Sequence, residues 1–244
     1  MLQIENATKI FQPGTPNSHT ALDGFSLSLQ SGEFVTIIGT NGAGKSTLFN
    51  AICGNFTLDK GSIVLDGQDY TFMAEHRRAL KIGRVFQDPM QGTAPGLTVL
   101  ENLAIAYARS YRHALQKALR KQDVELFRER LASFNMDLEQ KLHTKIGLLS
   151  GGQRQAVSML MSTIASPKLL LLDEHTAALD PAAAEKVNEI TQKLVAQQKL
   201  TTLMITHNIR QALTTGSRTI MMSGGRVILD ISAQEREGRY VQYH

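Results

Sequence analysis

The stretch Gly39–Thr47 reads GTNGAGKST and fits the G-x-x-x-x-G-K-[ST] pattern of a phosphate-binding loop. The preceding EFVTIIG is typical of a buried strand, and the following STLFNAICG is typical of a helix that ends at Gly54. Glycines let the backbone turn its N–H groups towards phosphate oxygens, and the N-terminal end of a helix favours the same negative charge. This strand–loop–helix unit predicts an α/β fold that binds a nucleotide by its phosphates.

Two side chains of this loop carry the chemistry of such a site. Lys45 supplies a positive charge to the β- and γ-phosphates, and Ser46 is a candidate ligand of Mg²⁺. Taken alone, the motif does not distinguish kinases, GTPases, helicases and transporters, and a chance glycine-rich turn is the alternative. The predicted phosphate-binding residues are Gly39, Thr40, Asn41, Gly42, Ala43, Gly44, Lys45, Ser46 and Thr47.

A second stretch, LLLLDE at Leu169–Glu174, predicts a buried strand that ends in two acids. Beside a phosphate-binding loop, we expect Asp173 to hold Mg²⁺ through water and Glu174 to orient or deprotonate the attacking water. The alternative is a strand end with ordinary surface carboxylates. Together with the loop, the two acids favour a site that hydrolyses the nucleotide.

A third stretch, LSGGQRQ at Leu149–Gln155, is not explained by nucleotide binding in general. Ser150 and two glycines precede a predicted helix, so its N-terminus forms a second potential anion site. One chain cannot easily direct both anion sites at one phosphate group if the second lies on a helical insertion. Two chains packed head to tail can do so.

The order of the predicted elements indicates a largely parallel sheet with helices around it. The stretch from Asp88 to Pro167 is rich in Ala, Leu, Arg, Gln and Glu, which predicts a mostly helical insertion. Asp180 and Pro181 predict the N-cap and first residue of a helix. The segment 219–231 predicts a terminal hairpin with Ser-Gly-Gly at its turn.

Composition excludes several classes of protein. The chain has 244 residues, of which 42% are hydrophobic, and this suits one domain, or one domain with a lobe. A net charge of +4 is weak, and the basic residues between Arg109 and Arg130 alternate with acids, so we expect a solvated helix face and no nucleic-acid partner. The single cysteine, Cys53, fits a reducing compartment and a small buried side chain. We expect no signal peptide and no membrane-spanning helix.

Taken together, the three motifs resemble the ABC ATPase family, and the resemblance covers essentially the whole chain. GTNGAGKST matches its Walker A motif, LLLLDE its Walker B motif and LSGGQRQ its signature motif. The resemblance implies a P-loop NTPase (RecA-like) core with an antiparallel β subdomain and an inserted α-helical subdomain. It implies one ABC ATPase domain over residues 1–244, with residues 1–87 and 168–244 in the core and β subdomain and about 88–167 in the helical subdomain.

The resemblance also implies roles for residues that the motifs alone do not assign. Gln87 matches the Q-loop glutamine, which links the γ-phosphate and Mg²⁺ to the helical subdomain, and His207 matches the switch histidine at the γ-phosphate. Asp180 ends the D-loop, which crosses the dimer interface, and Phe11 matches an aromatic residue that stacks on adenine. The implied catalytic residues are Glu174, His207, Gln87 and Lys45; the implied metal ligands are Ser46, Gln87 and Asp173; the implied ATP contacts include Ser150, Gly151, Gly152 and Gln153 of the partner.

The same resemblance implies an ATP- and Mg²⁺-dependent hydrolase that acts as a head-to-tail dimer on the cytoplasmic face of a membrane. A groove near Gln87 would receive a cytoplasmic helix of a membrane permease. A single unfused cassette is typical of importers served by an extracellular solute-binding protein, possible cargoes being amino acids, and aromatic ones in some members. The alternatives are a non-transport or regulatory ABC ATPase and an exporter subunit; a simple P-loop kinase leaves LSGGQRQ unexplained.

One residue departs from the family's pattern. The family usually has proline after the Walker B glutamate, whereas this chain has His175. The loop therefore lacks the restraint that proline places on φ, and it gains a titratable ring near the predicted catalytic water. A structural replacement is the favoured interpretation, and a new chemical role is the alternative.

Overall fold

The computed structural model describes residues 1–109 and 120–235 of the chain. The elements of this part are, in chain order, β1 (Leu2–Phe11), β2 (His19–Leu29), β3 (Phe34–Gly39), α1 (Lys45–Cys53), β4 (Lys60–Leu65), β5 (Gln68–Asp69), α2 (Glu75–Arg78), β6 (Ile82–Val85), α3 (Val99–Ala108), α4 (Lys121–Ala132), α5 (Gly151–Thr163), β7 (Leu169–Asp173), α6 (Pro181–Gln198), β8 (Thr201–Ile205), α7 (Ile209–Thr214), β9 (Arg218–Ser223) and β10 (Arg226–Ser232). Two short 3-10 helices, Leu138–Gln140 and Ile146–Leu148, precede α5.

The described strands form two sheets. The larger sheet has the order β10-β9-β3-β8-β7-β6, in which only β10 is antiparallel to its neighbour. The smaller sheet has the order β2-β1-β4-β5 and is antiparallel throughout. The predicted α/β class, with a largely parallel core sheet, an antiparallel β subdomain and a helical insertion, is confirmed. The exact boundaries after residues 87 and 167 stay a prediction.

Strand β7 contributes side chains to two hydrophobic clusters that lie on opposite faces of the core sheet. Its four leucines are fully buried, as expected for a strand covered on both faces of a parallel sheet. Leu169 and Leu171 belong to the cluster around α1 and the smaller sheet, whereas Leu170 and Leu172 belong to the cluster with α3 and α5. Because successive side chains of a strand point to opposite faces, β7 packs against the side with α1 and the smaller sheet and also against the side with α3 and α5.

Several local predictions are confirmed. Asp180 caps α6, since its side chain accepts from the Ala183 N–H at 3.0 Å, and Ser150 caps α5. Gly54 ends α1 in the left-handed conformation, and β9 and β10 form the predicted hairpin. Cys53, predicted to be buried, is only half-buried against the core, and this burial raises the pKa of its thiol.

Two stretches of the sequence, residues 110–119 and 236–244, lie outside the described residues, and the first affects one prediction. The basic stretch between Arg109 and Arg130 includes residues 110–119; within α4, Arg128 and Arg130 are exposed. None of the helices in residues 1–109 and 120–235 combines the length and the hydrophobicity needed to cross a bilayer.

Arg78 is a charged side chain buried at the carboxyl end of α1. Its guanidinium donates to the carbonyls of Ala51 and Ile52 at 2.8 and 3.0 Å, and to those of Met73 and Thr71 at 2.7 and 3.2 Å. It therefore adds a donor to carbonyls at the end of α1, where the Gly54 N–H also donates to the Ala51 carbonyl, and links them to the carbonyls of Met73 and Thr71.

We expect Arg78→Met to lower the free energy of unfolding by about 3 kcal/mol, because buried carbonyls left unpaired each cost about 1–3 kcal/mol. Urea unfolding measures the loss. Arg77→Met is the matched control, since Arg77 is the exposed neighbour; it should change stability by less than about 0.5 kcal/mol. Equal losses in the two variants would contradict a capping role for Arg78.

Candidate active site

A cleft of about 250 Å³ lies over the phosphate-binding loop, which connects β3 to α1. It brings together residues from the first strands, the loop and the ends of two core strands. The residues that line it are Phe11, His19, Ala21, Asn41, Gly42, Ala43, Gly44, Lys45, Ser46, Thr47, Glu174 and His207.

The loop needs glycine at two positions because the backbone passes close to other strands. Gly44 has φ +99°, and a Cβ there would lie 2.4 Å from the carbonyl oxygen of Ala21. A Cβ on Gly39 would lie 2.4 Å from the carbonyl oxygen of Met222. The helix α1 begins directly after Gly44, so the positive end of its dipole faces the cleft.

Lys45 brings a positive charge to the floor of this cleft. Its side chain is 5% exposed, and its Nζ donates to the carbonyls of Gly39 and Thr40 at 2.8 and 3.0 Å. Burial lowers the pKa of Lys45, and the carboxylates of Glu174 and Asp173 act in the opposite direction. Because neutral carbonyls hold the ammonium group, its charge is available to a bound polyphosphate, and the loop fits ATP.

Glu174 and His207 meet at the carboxyl ends of two adjacent parallel strands, β7 and β8. His207 Nε2 lies 2.7 Å from Glu174 Oε1. Glu174 has φ +47°, an uncommon conformation for a residue with a side chain, and its N–H donates to the Ile205 carbonyl at 3.0 Å. The pair is therefore held at the edge of the cleft, where a carboxylate can act on a water molecule.

Asp173 does not line the cleft directly but lies beside it. Its Oδ2 accepts from Arg84 at 2.7 Å, and Arg84 also donates to Asn50 Oδ1 at 2.7 Å. Sequence reasoning missed Arg84, because no strand was predicted over residues 82–85 and only the pairing of β6 with β7 places Arg84 beside Asp173. Arg84 fixes the orientation of the Walker B carboxylate.

The described residues offer a partial set of ligands for Mg²⁺. They contain no cluster of three or more His, Cys, Asp or Glu side chains that could hold a metal alone. Ser46 on the loop and Asp173 nearby are oxygen donors, which suits an ion that keeps water and phosphate oxygens as its other ligands. The residues present therefore fit a magnesium–nucleotide complex.

Some predicted site residues do not reach this cleft. Gln87 is exposed two residues after the end of β6, and the residues that line the cleft include neither Gln87 nor the segment 150–153 nor Asp180. The signature and D-loop segments lie together, since a Cβ on Gly151 would be 3.3 Å from Leu179 Cδ2. One chain thus presents the predicted site residues in two separate groups.

Phe11 lies at the open end of the cleft and is 38% exposed. Its ring makes an edge-to-face contact with Phe56 at 5.5 Å, and Lys9 Nζ lies 5.7 Å from its centre. His19 is the cross-strand partner of Phe11 and also lines the cleft. His19 was missed by sequence reasoning, because the register of β1 and β2 is needed to see it.

We expect Phe11→Ala to raise the Kd for ATP about tenfold, since stacking of a base on an aromatic ring contributes about 1–3 kcal/mol. Fluorescence titration measures the Kd for ATP. Phe11→Tyr keeps an aromatic ring and should bind ATP within about threefold of the original chain. Inorganic tripolyphosphate has no base, so its Kd should not change; a tenfold loss for both ligands would contradict adenine stacking.

His175 points away from this cleft into the protein. It is 2% exposed, and its Nε2 lies 3.0 Å from Thr191 Oγ1 on α6. Burial lowers the pKa of His175 to about 4, so the ring is neutral at pH 7. These contacts favour the structural interpretation of this residue.

The fold and the cleft define a P-loop nucleotide hydrolase. Comparison with known proteins gives the family: the pattern of the family described as ABC transporter matches residues 22–177. The tyrosine transport ATP-binding protein of Clostridioides difficile (strain R20291) is 46% identical over 242 residues, which cover 99% of this chain and 96% of that protein. The thiamine import ATP-binding protein ThiQ of Escherichia coli (strain K12) is 34% identical over 203 residues, which cover 83% of this chain and 82% of that protein.

A solved structure has the same fold. This is the dimeric post-hydrolysis state of the ATP-binding cassette MJ0796 bound to ADP and Pi, which matches with a TM-score of 0.81 at 30% identity, over 96% of this chain and 99% of that chain. The chain belongs to the ABC transporter family, as an ATP-binding and ATP-hydrolysing subunit. Dimeric cassettes of this kind support association of two copies.

Proposed function

We propose that two copies of this chain enclose ATP head to tail and drive solute import through a membrane permease. One observation carries the proposal: the cleft contains the phosphate loop, Glu174 and His207, but its lining includes none of residues 150–153. The signature helix of a second copy would complete the site at the γ-phosphate, because its N-terminus provides exposed N–H groups for an anion.

In this proposal, the residues of one cleft divide the chemistry among them. Lys45 neutralises charge on the β- and γ-phosphates, and Glu174 orients or deprotonates the attacking water, with His207 holding its carboxylate at 2.7 Å. Ser46, Asp173 and Gln87 would hold Mg²⁺, which supplies charge neutralisation to the phosphates when it is bound. Asp180 would face the partner at the dimer interface.

Two exposed apolar side chains beside the motifs support the dimer. Leu148 is 78% exposed and precedes the signature motif by one residue, and Ile209 is 62% exposed and follows His207 by two residues. Burial of large apolar side chains stabilises association by about 25 cal/mol per Å² of apolar surface. A second copy that approaches these motifs would cover both.

The contact between α5 and the segment before Gln87 would couple the nucleotide to the permease. Gln155 Nε2 donates to the Phe86 carbonyl at 3.0 Å, so a shift of α5 moves the residue next to Gln87. A groove of about 230 Å³ lined by Phe86 and Gly92 lies on this side. A cytoplasmic helix of the permease would dock there, which would hold the chain at the cytoplasmic face of the membrane; a solute-binding protein would act on the other side.

We propose amino acids, tyrosine first among them, as the cargo. The support is the tyrosine transport ATP-binding protein of Clostridioides difficile (strain R20291), which is 46% identical over nearly the whole of both chains. Deleting the gene from its own cell should abolish ATP-dependent uptake of labelled tyrosine, and the original chain should restore it, whereas Glu174→Gln should not. Unchanged uptake in the deletion strain would overturn this cargo, and lost efflux in place of uptake would favour an exporter.

A further inference from the structure

Helix α6 makes two side-chain contacts with the loops that carry the predicted catalytic pair. Thr191 contacts His175, the residue after Glu174, at 3.0 Å. Asn188 Oδ1 accepts from Gln211 Nε2 at 2.8 Å, and Gln211 Oε1 in turn accepts from Thr206, the residue before His207, at 2.8 Å. Asn188 and Thr191 are three residues apart, so they lie on the same face of the helix.

The hydrogen-bond pattern defines the direction of the first contact. Thr191 Oγ1 donates to the Val187 carbonyl at 2.8 Å, and it has only one hydrogen to donate. Its oxygen therefore accepts from His175, whose Nε2 carries the hydrogen. The backbone at Glu174 is left-handed and needs external support, because such a conformation persists only when its surroundings hold it.

Packing alone does not hold these loops. A cavity of about 380 Å³ lies between α6 and the ends of β7 and β8, and Glu174, His175, Asn188, His207 and Gln211 all line it. Side chains beside a cavity lose the contacts that would otherwise define their positions. The two side-chain connections therefore add to the backbone hydrogen bonds of Glu174 with Ile205 and of Thr206 with Ile37 in positioning the neighbouring loops.

We propose that Thr191 and Asn188 are positioning residues that set the geometry of Glu174 and His207 from helix α6. Thr191 holds the Glu174 loop through His175, and Asn188 holds the His207 loop through Gln211. His175 thus replaces the φ restraint of the family's usual proline with a hydrogen bond to α6. Because Asp180 caps the N-terminus of α6, movement of the predicted dimer-facing segment would reach both members of the pair through this helix.

This inference rests on the proposed function, since it assigns a role in hydrolysis. We expect Thr191→Val to lower kcat for ATP hydrolysis about tenfold with KM for ATP within about twofold, because displacement of a catalytic group by about 1 Å costs up to 10²-fold. Asn188→Leu should act in the same direction. Thr191→Ser keeps the hydroxyl and should restore kcat to within about twofold of the original chain.

Thr163→Val is the matched control. Thr163 is fully buried in α5 and donates to the Met159 carbonyl at 2.9 Å, just as Thr191 donates to a carbonyl of its own helix, but no histidine of the described residues is hydrogen-bonded to it. It should lower the melting temperature about as much as Thr191→Val and leave kcat unchanged.

The outcomes separate the two claims. If Glu174→Gln abolishes hydrolysis while Thr191→Val and Thr163→Val show the same kcat, the positioning role is overturned and the proposed function stands. If Glu174→Gln hydrolyses ATP normally, the proposed function itself fails. A parallel fall in kcat and folded fraction, with no rescue by Thr191→Ser, would assign Thr191 a structural role alone and also overturn the positioning role.

Discussion

Glu174→Gln should bind ATP at least as tightly as the original chain and lose hydrolysis by roughly 10²–10⁴-fold, the range that a general base contributes. The substitution keeps the size of the side chain and its contact with His207, which lies 2.7 Å from Oε1. It removes the charge that orients or accepts a proton from water. Phosphate release measures hydrolysis, and fluorescence titration measures binding.

A surface glutamate provides the control for this prediction. Glu129 is exposed on α4, so Glu129→Gln should leave both hydrolysis and binding unchanged. Hydrolysis by Glu174→Gln at a near-normal rate would contradict the assignment of Glu174 as the residue that acts on water. A loss of ATP binding would instead indicate that the carboxylate supports the loop rather than the chemistry.

Lys45→Ala should raise the Kd for ATP at least about 100-fold. Each hydrogen bond to a charged group contributes about 1.5–3 kcal/mol, or roughly 10–150-fold in Kd, and Lys45 faces more than one phosphate in the proposed site. The change also removes the contacts of Nζ with the carbonyls of Gly39 and Thr40. Isothermal titration of the purified chain measures the Kd.

A lysine outside the cleft separates local from general effects. Lys145 is exposed and remote in sequence from the loop, so Lys145→Ala should bind ATP like the original chain. Unchanged binding by Lys45→Ala would remove the phosphate role of this residue. A circular dichroism spectrum that differs from the original chain would point to a folding defect.

The linear motifs were predictable because their chemistry is local. A phosphate loop depends on a strand, closely spaced glycines and a helix, and all three lie within about twenty residues around Gly39–Thr47. The meeting of Glu174 and His207 could be expected in outline, since carboxyl ends of parallel strands share one edge of a sheet. The distance of 2.7 Å between His207 Nε2 and Glu174 Oε1 depends on β7 and β8 being neighbours in the sheet, which the motifs alone do not predict.

The residues that were missed depend on register and long-range packing. His19 lies opposite Phe11 because these two residues form the first pair of β1 and β2 on either side of the loop 12–18, and the ends of that loop were not predicted to the residue. Arg84 reaches Asp173 because the four-residue strand β6 pairs with β7. The contact between His175 and Thr191 joins residues that are 16 positions apart, one in a loop and one in α6, and no sequence pattern indicates it.

The central claim is that two half-sites, one from each copy, must meet around the γ-phosphate. Light scattering on Glu174→Gln with ATP and Mg²⁺ tests it most directly, because blocked hydrolysis keeps the nucleotide in place. The account predicts twice the mass of one chain with ATP, one chain's mass without it, and one chain's mass again when Ser150→Arg is added. A single-chain mass with saturating ATP would contradict it.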